Sequence, residues 1–179
     1  AALERDGCVQ ALWQAAVPAP DGDAQLEDAS YAGVNYWSTH AFKLVNKKGE
    51  GQFVKWMFEP ANGQEFIPDD QLASKPTQFL ADELRQRVAT KPAEFVFKLQ
   101  LAQAGDVTDN ATVAWPADRK TVVAGRLTIT QVEAEGMASC DGVNFNPLVL
   151  PKGIEASSDP LLAARAGSYA VSQARRLAK

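Results

Sequence analysis

The sequence predicts an α+β fold: half of an antiparallel β-barrel with flanking helices, closed at its end by one long C-terminal helix. Three observations predict it. Four segments alternate apolar and polar residues with the period of a strand. Helix-period stretches occur only between the second and third of these and at the two ends of the chain. Four such strands with so few covering helices leave two sheet edges open, a hazard unless another segment pairs with them.

Taken in order, residues 3–16 place Val9, Leu12, Trp13 and Ala16 at helical spacing and predict a short helix. It starts without a capping signal, as if cut within an element. Pro18, Pro20 and Asp21-Gly22-Asp23 form a connector. Residues 40–45 predict a strand with Phe42 and Leu44 on one face and Lys43 and Val45 on the other. Asn46 to Glu50 turns the chain, and residues 52–59 return with Val54, Trp56 and Phe58 alternating against Phe53, Lys55 and Met57. Pro60-Ala61-Asn62-Gly63 ends the hairpin. A helix is expected over 76–88, with Ser74 as its cap and Leu80, Leu84 and Val88 along one face. Residues 94–101 form a third strand, with Phe95, Phe97, Leu99 and Leu101 on one side. After a loop carrying Trp115-Pro116, residues 121–133 form a fourth strand, broken by Gly125 where a bulge or close approach is expected. The stretch 145–158 is extended and punctuated by proline. Asp159-Pro160, an N-cap followed by proline at the first helical position, opens the last helix.

Length and composition narrow the function. The chain has 179 residues, 46% hydrophobic and 22% charged, which fits one domain spanning 1–179. Its net charge of −4 disfavours nucleic acid, whose binders need clustered Lys and Arg. No apolar run approaches a bilayer-crossing length, so no membrane span is expected, and Glu4, Arg5 and Asp6 stand where a signal peptide needs apolar residues. Two cysteines, Cys8 and Cys140, make no disulfide framework. A single histidine, His40, excludes a zinc site built on histidines and restricts Ser-His or Cys-His chemistry to that one residue.

The C-terminal helix carries the most chemistry. Arg165 and Tyr169 are four apart and Arg176 is seven further on, so the three share a face, with Leu162 and Ser172 or Gln173 between them. A cation beside a phenol favours its anionic form, and a phenolate is a hard ligand suited to ferric iron. A second arginine can pair with the carboxylates of a large anionic cofactor. On spacing alone the plainer reading also stands: solvated arginines and an ordinary amphipathic tyrosine.

The wider run FNPLVLPKGIEASSDPLLAARAGSYAVSQARR over 145–176 resembles the proximal haem segment of the haem catalases, in which Phe-x-Pro leads through Pro-x-Gly-Ile-Glu and Ser-x-Asp to Arg-x-x-x-Tyr. THAFKLVNKKGEG at 39–51 is similar to the catalase hairpin, and Trp115-Pro116 and VVAGRLTIT follow in the same order. LAQAGD at 101–106, Asp118-Arg119-Lys120 and Tyr169-Ala170-Val171-Ser172 resemble the smaller catalase-related peroxidases most. The resemblance implies a haem-dependent peroxidase reducing hydrogen peroxide or organic hydroperoxides with an unknown electron donor. It implies haem b bound through Tyr169 as the axial tyrosinate, with Arg165 keeping that oxygen anionic. His40 and Asp159 would complete a proximal chain, Arg176 would bind a haem propionate, and Phe145 would pack near the haem. Asp159 as a helix cap alone, and His40 as a satisfied strand histidine, remain the plainer alternatives.

Departures qualify the resemblance. Gly167 and Val171 stand where the catalase signature has an aromatic residue and an aspartate. Ala114 and Ala117 flank Trp115-Pro116, and the usual histidine is missing, so no bound NADPH is expected. The family's distal histidine and asparagine precede anything that matches here. The expectation is therefore a chain lacking its N-terminal, distal half, supplied by a companion segment and inactive alone. Its alternative is a non-catalytic haem-binding or structural half-barrel. A homo-oligomer is compatible with the resemblance, as are a periplasmic and a cytoplasmic location.

Overall fold

The computed structural model describes residues 26–133 and 142–178. The expected helix at 3–16, its connector, and both cysteines lie outside the described residues. Strands β1 (Leu26–Asp28), β2 (Tyr36–Trp37), β3 (Phe42–Val45), β4 (Gly51–Pro60) and β5 (Phe66–Pro68) precede helices α1 (Asp69–Leu72) and α2 (Phe79–Thr90). Strands β6 (Ala93–Leu101), β7 (Thr121–Ile129) and β8 (Ile154–Ala156) lead to helix α3 (Pro160–Leu177). The main sheet runs β7-β6-β4-β3-β8, antiparallel throughout, with β2 also paired to β4. β1 and β5 form a small separate ribbon. This is an open antiparallel sheet with helices, the α+β arrangement expected.

Register explains which residues meet. Val54 pairs with Leu101, Trp56 with Leu99 and Phe58 with Phe97, and paired residues point to one face of a sheet. The alternation in 52–59 and 94–101 therefore builds one continuous apolar face, to which Phe42 of β3 and Leu127 of β7 belong. The β3–β4 turn is held by Asn46, whose Oδ1 accepts from the amides of Lys48 and Glu50 at 2.8 and 3.0 Å. Gly49 takes φ of 84° there, a backbone that side chains resist.

At one end this face is closed. Ala32, Val34, Tyr36, Ala93 and Phe95 form a buried cluster, against which Leu84 and Val88 of α2 and Leu127 and Ile129 of β7 pack. The predicted helical face thus does what its spacing required. Arg87 fastens α2 to the β-ribbon by a bidentate bridge to Glu65, at 2.8 and 2.6 Å, and also donates to Glu83 at 2.6 Å. That guanidinium holds the Glu65 carboxyl below its ordinary range, against the opposing effect of burial. Gly33 lets Glu65 approach so closely that a Cβ on it would sit 2.7 Å from the Glu65 Cβ.

Three local expectations change, and the alternatives at Gly125 are resolved. α2 starts at Phe79 with Gln78 before it, not under a Ser74 cap. Ser74 instead donates to the Gln71 carbonyl at 2.7 Å, because Pro76 disfavours helical backbone in the residue before it. β7 ends at Ile129 rather than 133. The Gly125 irregularity is a bulge, with Phe97 opposite Gly125 and Lys98 opposite Val123, while no atom crowds Gly125 itself. His40 lies outside β3, for a reason that bears on the site.

Candidate functional site

β2 and β3 are two pieces of one strand beside β4, interrupted at 38–41. Trp37 pairs with Met57 and Phe42 with Val54, so four residues stand opposite two. The break is pinned by Ser38, whose amide donates to the Trp56 carbonyl at 2.8 Å and whose hydroxyl donates to the His40 carbonyl. Such a bulge re-aims a side chain that regular pleating would fix. His40 is thereby turned inward and is 5% exposed.

Its partner is Asp159, the N-cap of α3. Oδ1 of Asp159 accepts from the Leu161 amide at 2.9 Å, and Oδ2 accepts from His40 Nδ1 at 3.0 Å. One carboxylate thus caps the helix and orients the imidazole. Burial pushes this carboxyl up. The Leu161 amide, the His40 hydrogen bond and charge, and the Ala111 backbone outweigh it and hold Asp159 below the ordinary carboxylate range.

α3 presents a single inward face. Leu162 is 1% exposed, and Arg165, Tyr169, Ser172, Gln173 and Arg176 are half-buried along the same side, as the spacing predicted. Arg165 donates from an Nη nitrogen to the Tyr169 hydroxyl oxygen at 2.8 Å, with its guanidinium carbon 5.4 Å from the ring centre. Arg176 lies about two turns beyond Tyr169. It donates to the Ser172 hydroxyl at 2.7 Å and to the Val143 carbonyl at 2.8 Å, over the Phe145 ring at 5.2 Å.

These elements bound a cavity of about 1170 Å³, larger than most small-ligand pockets, which hold roughly 300–1,000 Å³. His40, Arg165, Tyr169 and Phe145 line it. Asp159 stands behind His40, and Arg176 lies beside the lining rather than in it. The sequence reading missed the aromatic wall, Trp56, Phe58 and Phe97. Phe58 stacks on Phe97 at 4.9 Å and meets Trp56 at 5.4 Å. The alternation in β4 and β6 signalled this wall, since three rings on one strand-pair face exceed what a small core needs. It also missed Ala111 and Thr112, brought to the cavity by the β6–β7 loop, which no local pattern marks.

The fold and site define an antiparallel α+β domain whose sheet carries an aromatic-walled cavity, with an arginine-bound tyrosine on the helix that lines it. The sequence profile of the catalase family matches residues 23–179, and the chain belongs to that family. It is 41% identical over 147 residues to a catalase-related peroxidase of Synechococcus elongatus, a match covering 82% of this chain and 43% of that protein. It is 34% identical over 150 residues to a catalase-related peroxidase of Mycolicibacterium paratuberculosis, covering 84% and 48%. A fungal catalase crystal structure superposes with a TM-score of 0.74 at 23% identity, over 84% of this chain and 32% of that one. Catalase A from Saccharomyces cerevisiae gives 0.74 at 20% identity, over 84% and 33%. The chain spans less than half the length of these relatives.

Proposed function

We propose that this chain is the proximal wall of a haem-dependent peroxidase that reduces hydrogen peroxide or organic hydroperoxides. The observation that carries this reading is the Arg165–Tyr169 hydrogen bond at 2.8 Å within a cavity of about 1170 Å³. The residues present fit a haem. The cavity is faced by Phe145 and by the Trp56, Phe58 and Phe97 rings, and the Tyr169 oxygen beside it already accepts from a cation. Haem is expected of the family, and haem b is the form we assign.

Tyr169 would hold the haem iron through its phenol oxygen, and the bound group would supply the redox chemistry of peroxide reduction. Arg165 donates to the Tyr169 oxygen and so fixes where that oxygen points. Asp159 keeps the proton of His40 on Nδ1 and fixes the ring, so the relay proposed from Tyr169 through Arg165 to His40 and Asp159 has rigid outer members. The aromatic wall would lie against the bound group on one side of the cavity. Phe145 would face the haem, and Arg176 is the proposed partner of a haem propionate. Nicotinamide is not proposed.

Acid–base help in O–O cleavage needs a group within reach of the peroxide. Among the described residues the cavity lining holds no carboxylate, and the Nδ1 of His40 is committed to Asp159. We assign that role to residues outside this chain, in the length of the relatives it does not span, and expect these 179 residues alone to turn over peroxide no faster than free haem. The electron donor is a further partner, and a homo-oligomer remains part of the proposal.

Tyr169→Phe tests the reading in the protein assembled with that distal part. It should abolish the high-spin tyrosinate spectrum while leaving the far-ultraviolet circular dichroism unchanged. An unaltered Soret band and charge-transfer bands in the variant would overturn the ligand assignment.

A further inference from the structure

The β6–β7 loop, residues 102–120, is more ordered by its own contacts than a connector requires. Its base is closed by the Leu101 amide on the Lys120 carbonyl at 2.9 Å. Arg119 grips Asp106 through Nε at 2.9 Å and through Nη2 at 3.0 Å, one nitrogen to each carboxylate oxygen, the bidentate geometry that fixes orientation as well as distance. Asp106 also accepts from the Gln103 amide at 2.7 Å. Buried Trp115 donates from Nε1 to the Val107 carbonyl at 2.7 Å and so folds the loop across itself.

The loop is then fastened to the sheet by one side chain. Lys55 of β4 lies on the face of that strand opposite Val54 and Trp56. Its ammonium donates to the Val113 carbonyl at 3.1 Å and sits 5.2 Å from the centre of the Trp115 ring. Burial lowers the affinity of Lys55 for its proton, while the Asp159 and Asp106 carboxylates favour the charged form. The ammonium therefore stands within electrostatic reach of both the loop's clamp and the helix cap. Two residues before Val113, the Ala111 backbone bears on Asp159, and Ala111 and Thr112 line the cavity.

We infer that Lys55 and the Asp106–Arg119 pair are positioning residues for the site: they hold the 102–120 loop so that Ala111 braces Asp159, and Asp159 in turn fixes His40. None of them lines the cavity. Their effect is transmitted by contacts between the chain's own residues, so the inference does not depend on which ligand the cavity takes.

His40 is the single histidine of the sequence, so its imidazole gives one assignable set of 15N and 1H resonances. The experiment records the His40 Nδ1–H resonance and the hydrogen exchange of the Ala111 amide in haem-free protein carrying Lys55→Met, Lys55→Arg or Asp106→Asn. Lys55→Met keeps the apolar stem over Trp115 and removes the donor to Val113. Expected are a displaced Nδ1–H resonance and about tenfold faster Ala111 exchange, the scale of one lost hydrogen bond. Amides in β4 and β6 should be unmoved, and Lys55→Arg should restore both signals. Asp106→Asn should reproduce the effect from the far side of the loop, and it decides the question alone if Lys55→Met does not fold. A folded Lys55→Met or Asp106→Asn protein with His40 and Ala111 signals unchanged would overturn the inference. Because no haem is present, this result is independent of the Tyr169→Phe spectrum.

Discussion

Phe95 and Phe97 are neighbours on the same face of β6, yet they belong to different kinds of protein interior. Phe95 is 1% exposed, packed against Tyr36 at a ring distance of 5.9 Å and roofed by Leu84 and Val88. Phe97, one pleat along, stacks on Phe58 and faces the cavity. The sheet is the same, and what differs is the cover. Where α2 lies on the sheet, the apolar face is spent on stability. Where α3 crosses beyond it, the same chemistry is left open as a wall, with Tyr169 and Arg165 opposite. A strand pattern can thus serve a core and a site at once, with the partition made by the helices.

Truncations at the two ends should separate these roles most sharply. Phe95→Ala should cost about 3–5 kcal/mol of stability, the usual range for a buried phenylalanine. Phe97→Ala should cost well under half of that, since it loses partial burial and a ring stack worth about 0.5–1.5 kcal/mol, yet it should weaken haem binding more. Urea unfolding of the two variants, read beside haem titrations, checks this; equal stability losses would collapse the distinction between core end and cavity end.

Next in size is Asp159. Asp159→Ala removes a helix cap worth about 1 kcal/mol and orphans a buried donor at about 1–3 kcal/mol. Asp159→Asn keeps an oxygen for the Leu161 amide and should recover the first part only. Thermal unfolding of both shows whether the residue does two jobs, and indistinguishable variants would reduce it to one.

Arg165→Leu should change stability far less than Phe95→Ala, because Arg165 is half-buried rather than fully buried. It should loosen haem roughly tenfold or more, in line with about 1.5–3 kcal/mol for a charge-assisted hydrogen bond, and should raise the ferric/ferrous midpoint. A potentiometric titration giving the same midpoint as the unaltered protein would count against Arg165 as the residue that keeps the phenol oxygen anionic.

The smallest effect is in acid. Asp159 and Glu65 are both held below their ordinary values, near 3.9 and 4.3 for free side chains. Each therefore adds stability that is complete above those values and is lost as pH falls through the folded ones. The stability gap between the protein and Asp159→Asn should narrow below about pH 4. A gap that widens there would reverse the assigned sign.

Much of this was legible in the residues. The period of two placed Val54, Trp56 and Phe58 on one face of their strand and Phe95 and Phe97 on one face of theirs, because pleating is local; the register then joined the two faces. Asp159-Pro160 announced α3 because capping involves only neighbouring amides. The Arg165–Tyr169 contact was readable because four residues make one helical turn. Ser74 misled because its capping signal ignored Pro76.

The sequence by itself thus determined β3, β4, β6 and β7, the helices α2 and α3 and the face that α3 turns inward, all of which depend on contacts within a few residues, while the short β1, β2, β5 and β8 and helix α1 went unread. Only the tertiary structure decided that His40 leaves its strand through the 38–41 bulge and meets Asp159, 119 positions away. Only it brought β8 beside β3 and carried Ala111 from a loop to the cap of a distant helix. Those arrangements follow from which surfaces exclude water together, and that choice is made by the whole chain, so no stretch of it records the result.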